Sequence, residues 1–324
     1  MIKTAEFVSP KHPDKICDFI ADSILDAYLA GDKDSRVAVE VMGGHKLITI
    51  NGEVTSRTEV DVESLVQSIV GASYKIISNI VAQSVEIAKG VDVGGAGDQG
   101  IMKGYATNET PEFLPLEYVL ARDLCKKIFE VYPYDGKTQV TVEDGEVLTV
   151  VASFQNTKNE DLLMLVKNTL AEILPATKLI KTIYLINPAG EWSMGGFDSD
   201  TGLSGRKLII DNYGPEVPIG GGSFSGKDYT KVDRSGAYMA RRIAVDLLEQ
   251  RKAKEVYVKL AYAIGKPEPV MAVAVVDGIE ENINSSSLGY DLSPKGIRKF
   301  LKLDEVKFAE TSLWGHFGRN FEWR

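Results

Sequence analysis

Three times along this chain a helical period gives way to a pair of alternating strands, and each time a second helical period follows. In the first copy Ile16, Ile20 and Ile24, with Leu25, Ala27 and Tyr28, recur at three and four residues, the spacing of one helix face. Pro13 stands in the first turn, where its missing N–H costs nothing, and Gly31 and Asp32 close the helix. Val37, Val39 and Val41 then alternate over 36–41, Gly43 and Gly44 supply a turn, 47–54 returns, and 61–77 reads as helix. The second copy runs through 116–131, 138–143, the hairpin signal Asp144-Gly145, 147–154 and 160–174. The third runs through 235–249, 256–261, 270–276 and 294–303. Apolar faces of this kind are buried only by packing element on element. The pattern therefore predicts an α+β chain of three similar α/β modules, helices on mainly antiparallel or mixed sheets. The divisions expected are 1–104, 105–190 and 191–324, with segments exchanged between neighbours in space.

Composition narrows the function classes. The 324 residues are 44% hydrophobic and 26% charged, as in ordinary globular proteins. A net charge of −9 argues against general affinity for nucleic acid, so any phosphate site must be a local basic pocket. Cys17 and Cys125 each lie in an apolar helical pattern, which predicts no disulfide and fits a reducing cytoplasm. The N-terminus has no apolar leader, and no run approaches a membrane span. A soluble, intracellular protein is expected.

The densest chemistry lies in 220–238, GGGSFSGKDYTKVDRSGAY. Gly220, Gly221, Gly222 and Gly226 let backbone N–H groups approach a ligand, and Lys227, Lys231, Arg234 and Arg241 bring positive charge. A glycine-rich, basic loop entering a helix suits phosphate, and Asp228 and Asp233 suit the accompanying cation. Gly221, Gly226 and Lys227 match the P-loop frame, but Asp228 replaces its hydroxyl residue, and Pro215 and Pro218 separate the loop from a preceding strand. A mobile solvated loop is the plain alternative.

Other polar clusters read either way. His12, Asp14 and Lys15 open a helix, as a ligand set or as a solvated cap, and Asp18 serves Lys15 or a ligand. Asp98 sits among glycines in a ligand loop or a plain turn; Asp200, Arg206 and Lys207 form a site or a salt-bridged turn. Lys137 follows Asp135-Gly136 at a site or a hairpin edge. His45 reads as solvated and His316, between aromatics, as structural. Three histidines without ligand spacing argue against zinc, and no nucleophile–base pair is visible.

Taken together, the motifs resemble the S-adenosylmethionine synthetases. They are HPDK at 12–15, GAGDQG at 95–100 with YATNET at 105–110, and GLSGRK at 202–207. GGGSFSGKD with KVDRS at 220–235 and GHFGR at 315–319 complete the family order across nearly the whole chain. The resemblance implies pseudo-threefold symmetry, a homodimer or dimer of dimers with sites shared between subunits, and magnesium, two ions per site, with potassium. ATP and L-methionine would give S-adenosylmethionine, with triphosphate cut to pyrophosphate and phosphate.

It also implies roles. Lys137, Arg206, Lys207 and Lys227 would contact the polyphosphate, and His12 would donate a hydrogen bond beside the breaking bond. Lys15, Asp98, Asp135, Trp192, Asp200 and Ser223 would complete the ATP site. Glu53, Lys89, Asp98, Asp200 and Lys231 would hold methionine; Asp14 and Asp233 would ligate magnesium and Glu40 potassium. Lys89 stands for the family's gating-loop glutamine, Glu191-Trp192 for its Arg-Phe pair, and Lys11 for a usual glycine. A P-loop-like ATPase is the rival reading; it would use Lys227 but need neither Lys231 nor Asp200.

Overall fold

A computed structural model describes residues 1–83, 94–283 and 289–324. Its backbone contains three four-stranded sheets, each covered on one face by helices. One joins β1 (Ile2–Val8), β6 (Gly136–Glu143), β7 (Glu146–Phe154) and β8 (Ile183–Ile186) in that order. Helices α3 (Leu116–Val131) and α4 (Asn159–Ile173) cover it. A second runs β4 (Lys75–Val81), β3 (Leu47–Thr55), β2 (Arg36–Gly44), β9 (Gly202–Leu203), under α1 (Pro13–Gly31) and α2 (Val62–Val70). The third runs β12 (Ile279–Asn282), β11 (Met271–Val276), β10 (Glu255–Tyr262), β5 (Gly100–Thr107), under α6 (Val232–Arg251), against which α7 (Pro294–Phe300) packs. Two short helices, α5 (Leu208–Asp211) and α8 (Phe308–Thr311), sit between these layers. Among the described residues no helix is long and apolar enough to cross a membrane.

The α+β reading with mixed sheets holds, and the differences are local. The periodicity over 61–77 does not make one helix: α2 ends at Val70, Gly71 takes φ 97°, and β4 follows in parallel with β3. Ile76, Ile77, Ile80 and Val81 are β-branched and prefer the pleated surface. The first hairpin turns at His45-Lys46, both with positive φ, while Gly43 and Gly44 pair within the strand. Segment 100–107, to which the periodicity assigns no element, is β5 and pairs with β10. The helix expected from Ser235 begins at Val232, and the one expected to reach 303 ends at Phe300.

Each sheet keeps one open face. On the β4-β3-β2-β9 sheet, Val37, Val39, Val41, Ile48 and Ile50 are buried under α1. Met42, Leu47, Ile77 and Val81 are exposed on the other side. An open apolar surface of that sort is uncommon on a lone subunit.

The tightest layer contact is at Gly104 of β5, where an added Cβ would lie 2.1 Å from the backbone of Ala240 in α6. Gly104→Ala is expected to destabilise the fold by about 1–3 kcal/mol, the cost of overpacking. Urea unfolding measures it; an unchanged midpoint would mean that α6 does not sit on β5 this closely.

Candidate functional site

Four aspartates repeat every fourth residue along α1, at positions 14, 18, 22 and 26, and so share one face. Each receives backbone N–H groups from a distant loop. Asp14 Oδ1 accepts from Leu203 N at 2.9 Å and Asp18 Oδ1 from Gly205 N at 2.9 Å. Asp22 Oδ1 accepts from Gly226 N at 2.8 Å, and Asp26 from Phe308 N and Ala309 N at 2.9 and 3.0 Å. One helix face thus orders the loops at 202–207 and 224–228 side by side. They touch: a Cβ at Gly205 would meet the Ser223 side chain at 2.7 Å.

The first cluster forms at the start of α1. His12 is its N-cap, and His12 Nδ1 accepts from Asp14 N at 3.2 Å. A neutral ring with Nδ1 accepting carries its proton on Nε2. Burial, then the charges of Lys207 and Lys137, lowers the His12 pKa to about 4, so the ring is neutral at pH 7. Asp14 is fully buried, with Lys207 Nζ at 2.5 Å and Arg206 Nε at 3.0 Å. Burial works against that carboxylate, but Lys207 and the Leu203 N–H outweigh it and hold its pKa below the usual range. Lys137 is exposed on β6, and Asp135, buried beside it, accepts from Gly196 N at 2.8 Å. Asp200 is exposed, and its charge reaches both His12 and Asp135. Trp192 is half-buried; its Nε1 donates to Asn187 Oδ1 at 3.3 Å, and Gly195 packs on the ring.

The second cluster is the glycine-rich loop. Lys227 Nζ lies 2.6 Å from Asp233 Oδ2, in the first turn of α6. Gly222 faces that carboxylate and leaves no room for a side chain, since a Cβ would sit 2.2 Å from Asp233 Cγ. Lys231 Nζ holds Asp228 Oδ2 at 2.5 Å, and Asp228 also accepts from Val37 N and Thr230 N. Gly97 N donates to Thr230 O at 3.0 Å, bringing the Asp98 turn alongside. Asp98 itself is exposed and accepts from Gln99 N.

The sequence-predicted residues therefore fall into groups. His12, Asp14, Asp135, Lys137, Asp200, Arg206 and Lys207 gather at one cluster, and Lys227, Lys231 and Asp233 at the other, with Ser223 between. Glu40 and Glu53 stand exposed on β2 and β3; Glu53 pairs with Ala38, whose other neighbour is Lys227. Lys15 points inward, buried between Asp18 at 3.0 Å and Asp211 at 2.5 Å. Lys89 lies outside the described residues. Arg234 and Arg241, read as loop cations, are fully buried in α6, Arg234 against Asp22 and Arg241 against the carbonyls of Tyr105, Glu112 and Phe113. His316 is buried, as its aromatic neighbours suggested, with Tyr238 Oη 2.7 Å from Nδ1. Sequence reasoning missed Asp22, Asp26 and Asp211; the fourfold aspartate spacing in 14–26 was the available signal for the first two.

Family models match in three consecutive pieces: S-adenosylmethionine synthetase N-terminal domain over 1–92, central domain over 93–192 and C-terminal domain over 194–324. The S-adenosylmethionine synthase of Mycoplasmopsis pulmonis is 41% identical, covering 98% of this chain and 93% of that protein. The Fusobacterium nucleatum S-adenosylmethionine synthase is 40% identical over 98% and 92%. A solved structure, described as an unusual S-adenosylmethionine synthetase from Campylobacter jejuni, superposes with a TM-score of 0.87 at 34% identity, covering 99% of this chain and 96% of that one.

The neutral His12 ring has a consequence for pH. A histidine whose folded pKa is depressed adds stability that is present above its unfolded pKa of about 6.5 and fades as pH falls toward about 4. The stability difference between the native chain and His12→Asn should shrink by about 3 kcal/mol between pH 6.5 and 4, at about 1.4 kcal/mol per unit. Denaturant titrations at several pH values measure it; a difference flat with pH would place a charged ring in the fold.

Proposed function

The chain belongs to the S-adenosylmethionine synthetase family, and on that premise we propose how its own residues carry out the reaction. It is a methionine adenosyltransferase, joining L-methionine and ATP into S-adenosylmethionine. The attacking thioether sulfur is neutral and carries no proton, so no general base is required. The bland histidine inventory of the site fits that need. What the displacement at C5′ requires is alignment, worth roughly 7–11 kcal/mol of barrier, and a stabilised leaving group.

The carrying observation is the pair of lysine–aspartate contacts, Lys207–Asp14 and Lys227–Asp233, set on loops that meet at Gly205 and Ser223. Lys137, Arg206, Lys207 and Lys227 grip the polyphosphate, and Nε2–H of neutral His12 donates beside the departing oxygen. Trp192 offers a ring to the adenine, and Lys15 reaches ATP only through the loop its buried ion pairs hold. Asp135, Asp98 and Ser223 complete the ATP pocket. Methionine's ammonium meets Glu53, Asp98 and Asp200, and its carboxylate meets Lys231, with Lys89 above.

Asp14 and Asp233 fit magnesium. Each is a hard oxygen donor already holding a cation, at 2.5 and 2.6 Å, and among the described residues no cluster of three ligating side chains exists. That donor set suits an ion taking its other ligands from phosphate and water, one at each aspartate. Magnesium there would neutralise charge on the triphosphate, which the same cations hold for cleavage to pyrophosphate and phosphate. Glu40, in register with Asn51, offers oxygen to potassium.

Glu40 and Glu53 stand on the open apolar face with Met42, Leu47, Ile77 and Val81. That supports a homodimer, or dimer of dimers, in which this face of one subunit completes the site of the other. Buried, unpaired Cys17 and Cys125 support a reducing, cytoplasmic setting.

An assay with ATP, methionine, magnesium and potassium, the product identified by mass, tests the scheme. Pyrophosphate and phosphate should appear only with methionine; equal hydrolysis without it would favour a simple ATPase. Lys227→Ala and Asp14→Asn should each lower turnover at least about a hundredfold, as for loss of one key electrostatic group. Wild-type rates in both would remove them from the mechanism.

A further inference from the structure

Asp22 and Arg234 are not among the groups assigned to substrate or metal, yet they hold the backbone that carries Lys227. Asp22 is fully buried on α1, and its two oxygens take Arg234 Nη1 at 2.6 Å and Nη2 at 2.9 Å. The pair then grips the chain at 226–227. Gly226 N donates to Asp22 Oδ1 at 2.8 Å, and Arg234 Nη1 donates to Lys227 O at 3.2 Å. The remaining backbone groups of this dipeptide are also taken: Val39 N donates to Gly226 O at 3.1 Å, and Lys227 N to Phe224 O at 3.3 Å. Gly226 has φ 77°, and a Cβ there would meet Val39 O at 2.1 Å, so the turn cannot slide toward β2.

Arg234 is in turn fixed from behind. Its Nη2 donates to Thr311 Oγ1 at 2.9 Å and its Nε to Tyr238 Oη at 3.1 Å, and Tyr238 Oη meets His316 Nδ1 at 2.7 Å. Buried ion pairs often add little net stability over an apolar packing, because desolvation offsets their attraction. What a bidentate, fully satisfied pair does supply is direction. Here that direction ends at Lys227, whose ammonium reaches Asp233.

We propose that the Asp22–Arg234 pair is the positioning element of the reaction, setting where Lys227 presents its ammonium to the polyphosphate. The inference rests on the reading of Lys227 given above. Neither Asp22 nor Arg234 touches substrate; each acts through the Gly226–Lys227 backbone. Asp22→Asn keeps the shape and the Gly226 acceptor but removes the charge that orients the guanidinium, and Arg234→Lys removes the fork.

The test is a double-mutant cycle in the full-length protein, with single-turnover rates, KM values and thermal midpoints. Asp22→Asn and Arg234→Lys should each lower kcat about tenfold or more, with KM for methionine unchanged within about threefold. In a Lys227→Ala background the same substitutions should change the residual rate by less than about twofold. Equal losses in both backgrounds would overturn the proposal and leave the pair a packing element only. Lys227→Ala alone at the wild-type rate would instead overturn the reading of Lys227. Amide exchange on the unsubstituted protein gives a check that needs no variant to fold. The Gly226 N–H should be protected as well as the core of α1, and exchange at loop rates would overturn the grip on which the proposal stands.

Discussion

The aspartate column of α1 is the constraint on which the rest of this structure depends. Carboxylates are rarely buried unless donors surround them, because an unpaired buried charge costs several kcal/mol. Asp14, Asp18 and Asp22 are fully buried, so each must be met by N–H groups or cations. The donors come from loops more than 180 residues away in sequence, and hydrogen bonds to a charged acceptor are worth about 1.5–3 kcal/mol each. The helix therefore cannot bury its face unless the loops dock, and backbone pairing with β2 holds the same loops in register. Fold and site are specified by the same interactions.

The charge pattern follows from that arrangement. From position 14 to position 22 the column rises about 12 Å at 1.5 Å per residue, and at both levels a lysine sits on an aspartate, Lys207 on Asp14 and Lys227 on Asp233. A chain with a net charge of −9 thus keeps a line of cations without a carboxylate-free patch. In the reaction proposed above, phosphate oxygens would take those ammonium groups while the aspartates would keep a positive partner in the metal, so little buried charge would be left unanswered. Lysine suits this exchange better than arginine: it is a compact, rotatable point charge. Of the arginines of the same region, Arg206 joins Lys207 on Asp14, while Arg234 and Arg241 are locked into carbonyls and Asp22.

Much of this was legible in the sequence because it is written in local periods. The helix at 116–131 was read to the residue, and the hairpin at Asp144-Gly145 has the positive φ at both positions that the dipeptide predicts. The motifs around His12, Arg206 and Lys227 fall on the segments that the α1 column brings together. Long-range pairing was not legible. Ile76, Ile77 and Ile80 fit a helix face as well as a buried strand, and only Gly71 separates the two outcomes. Strand β5 hides inside a glycine-rich run because Gly104 is required by the backbone of α6, a demand that no local pattern expresses. Lys15 reads as a surface cation beside His12, yet the residue that decides its orientation is Asp211, 196 positions away.

Two positions where this chain departs from the family pattern, Glu191 and Lys11, have local answers. Glu191, in place of a cation, accepts from Lys158 Nζ at 2.7 Å and from Asn159 N at 3.0 Å, and so serves the N-terminus of α4. Its negative charge is spent on a helix end, where it is favourable, and the neighbouring Trp192 is held by its own bond to Asn187. Lys11 is exposed and its backbone N–H is held by Ser9 Oγ at 3.2 Å, so the side chain adds charge at the rim without altering the His12 cap. Neither change touches a residue that bonds to the α1 column. A substitution is accommodated where a side chain can find a new neighbour within its own loop. It is costly where the neighbour is a buried carboxylate that would be left with nothing to hold.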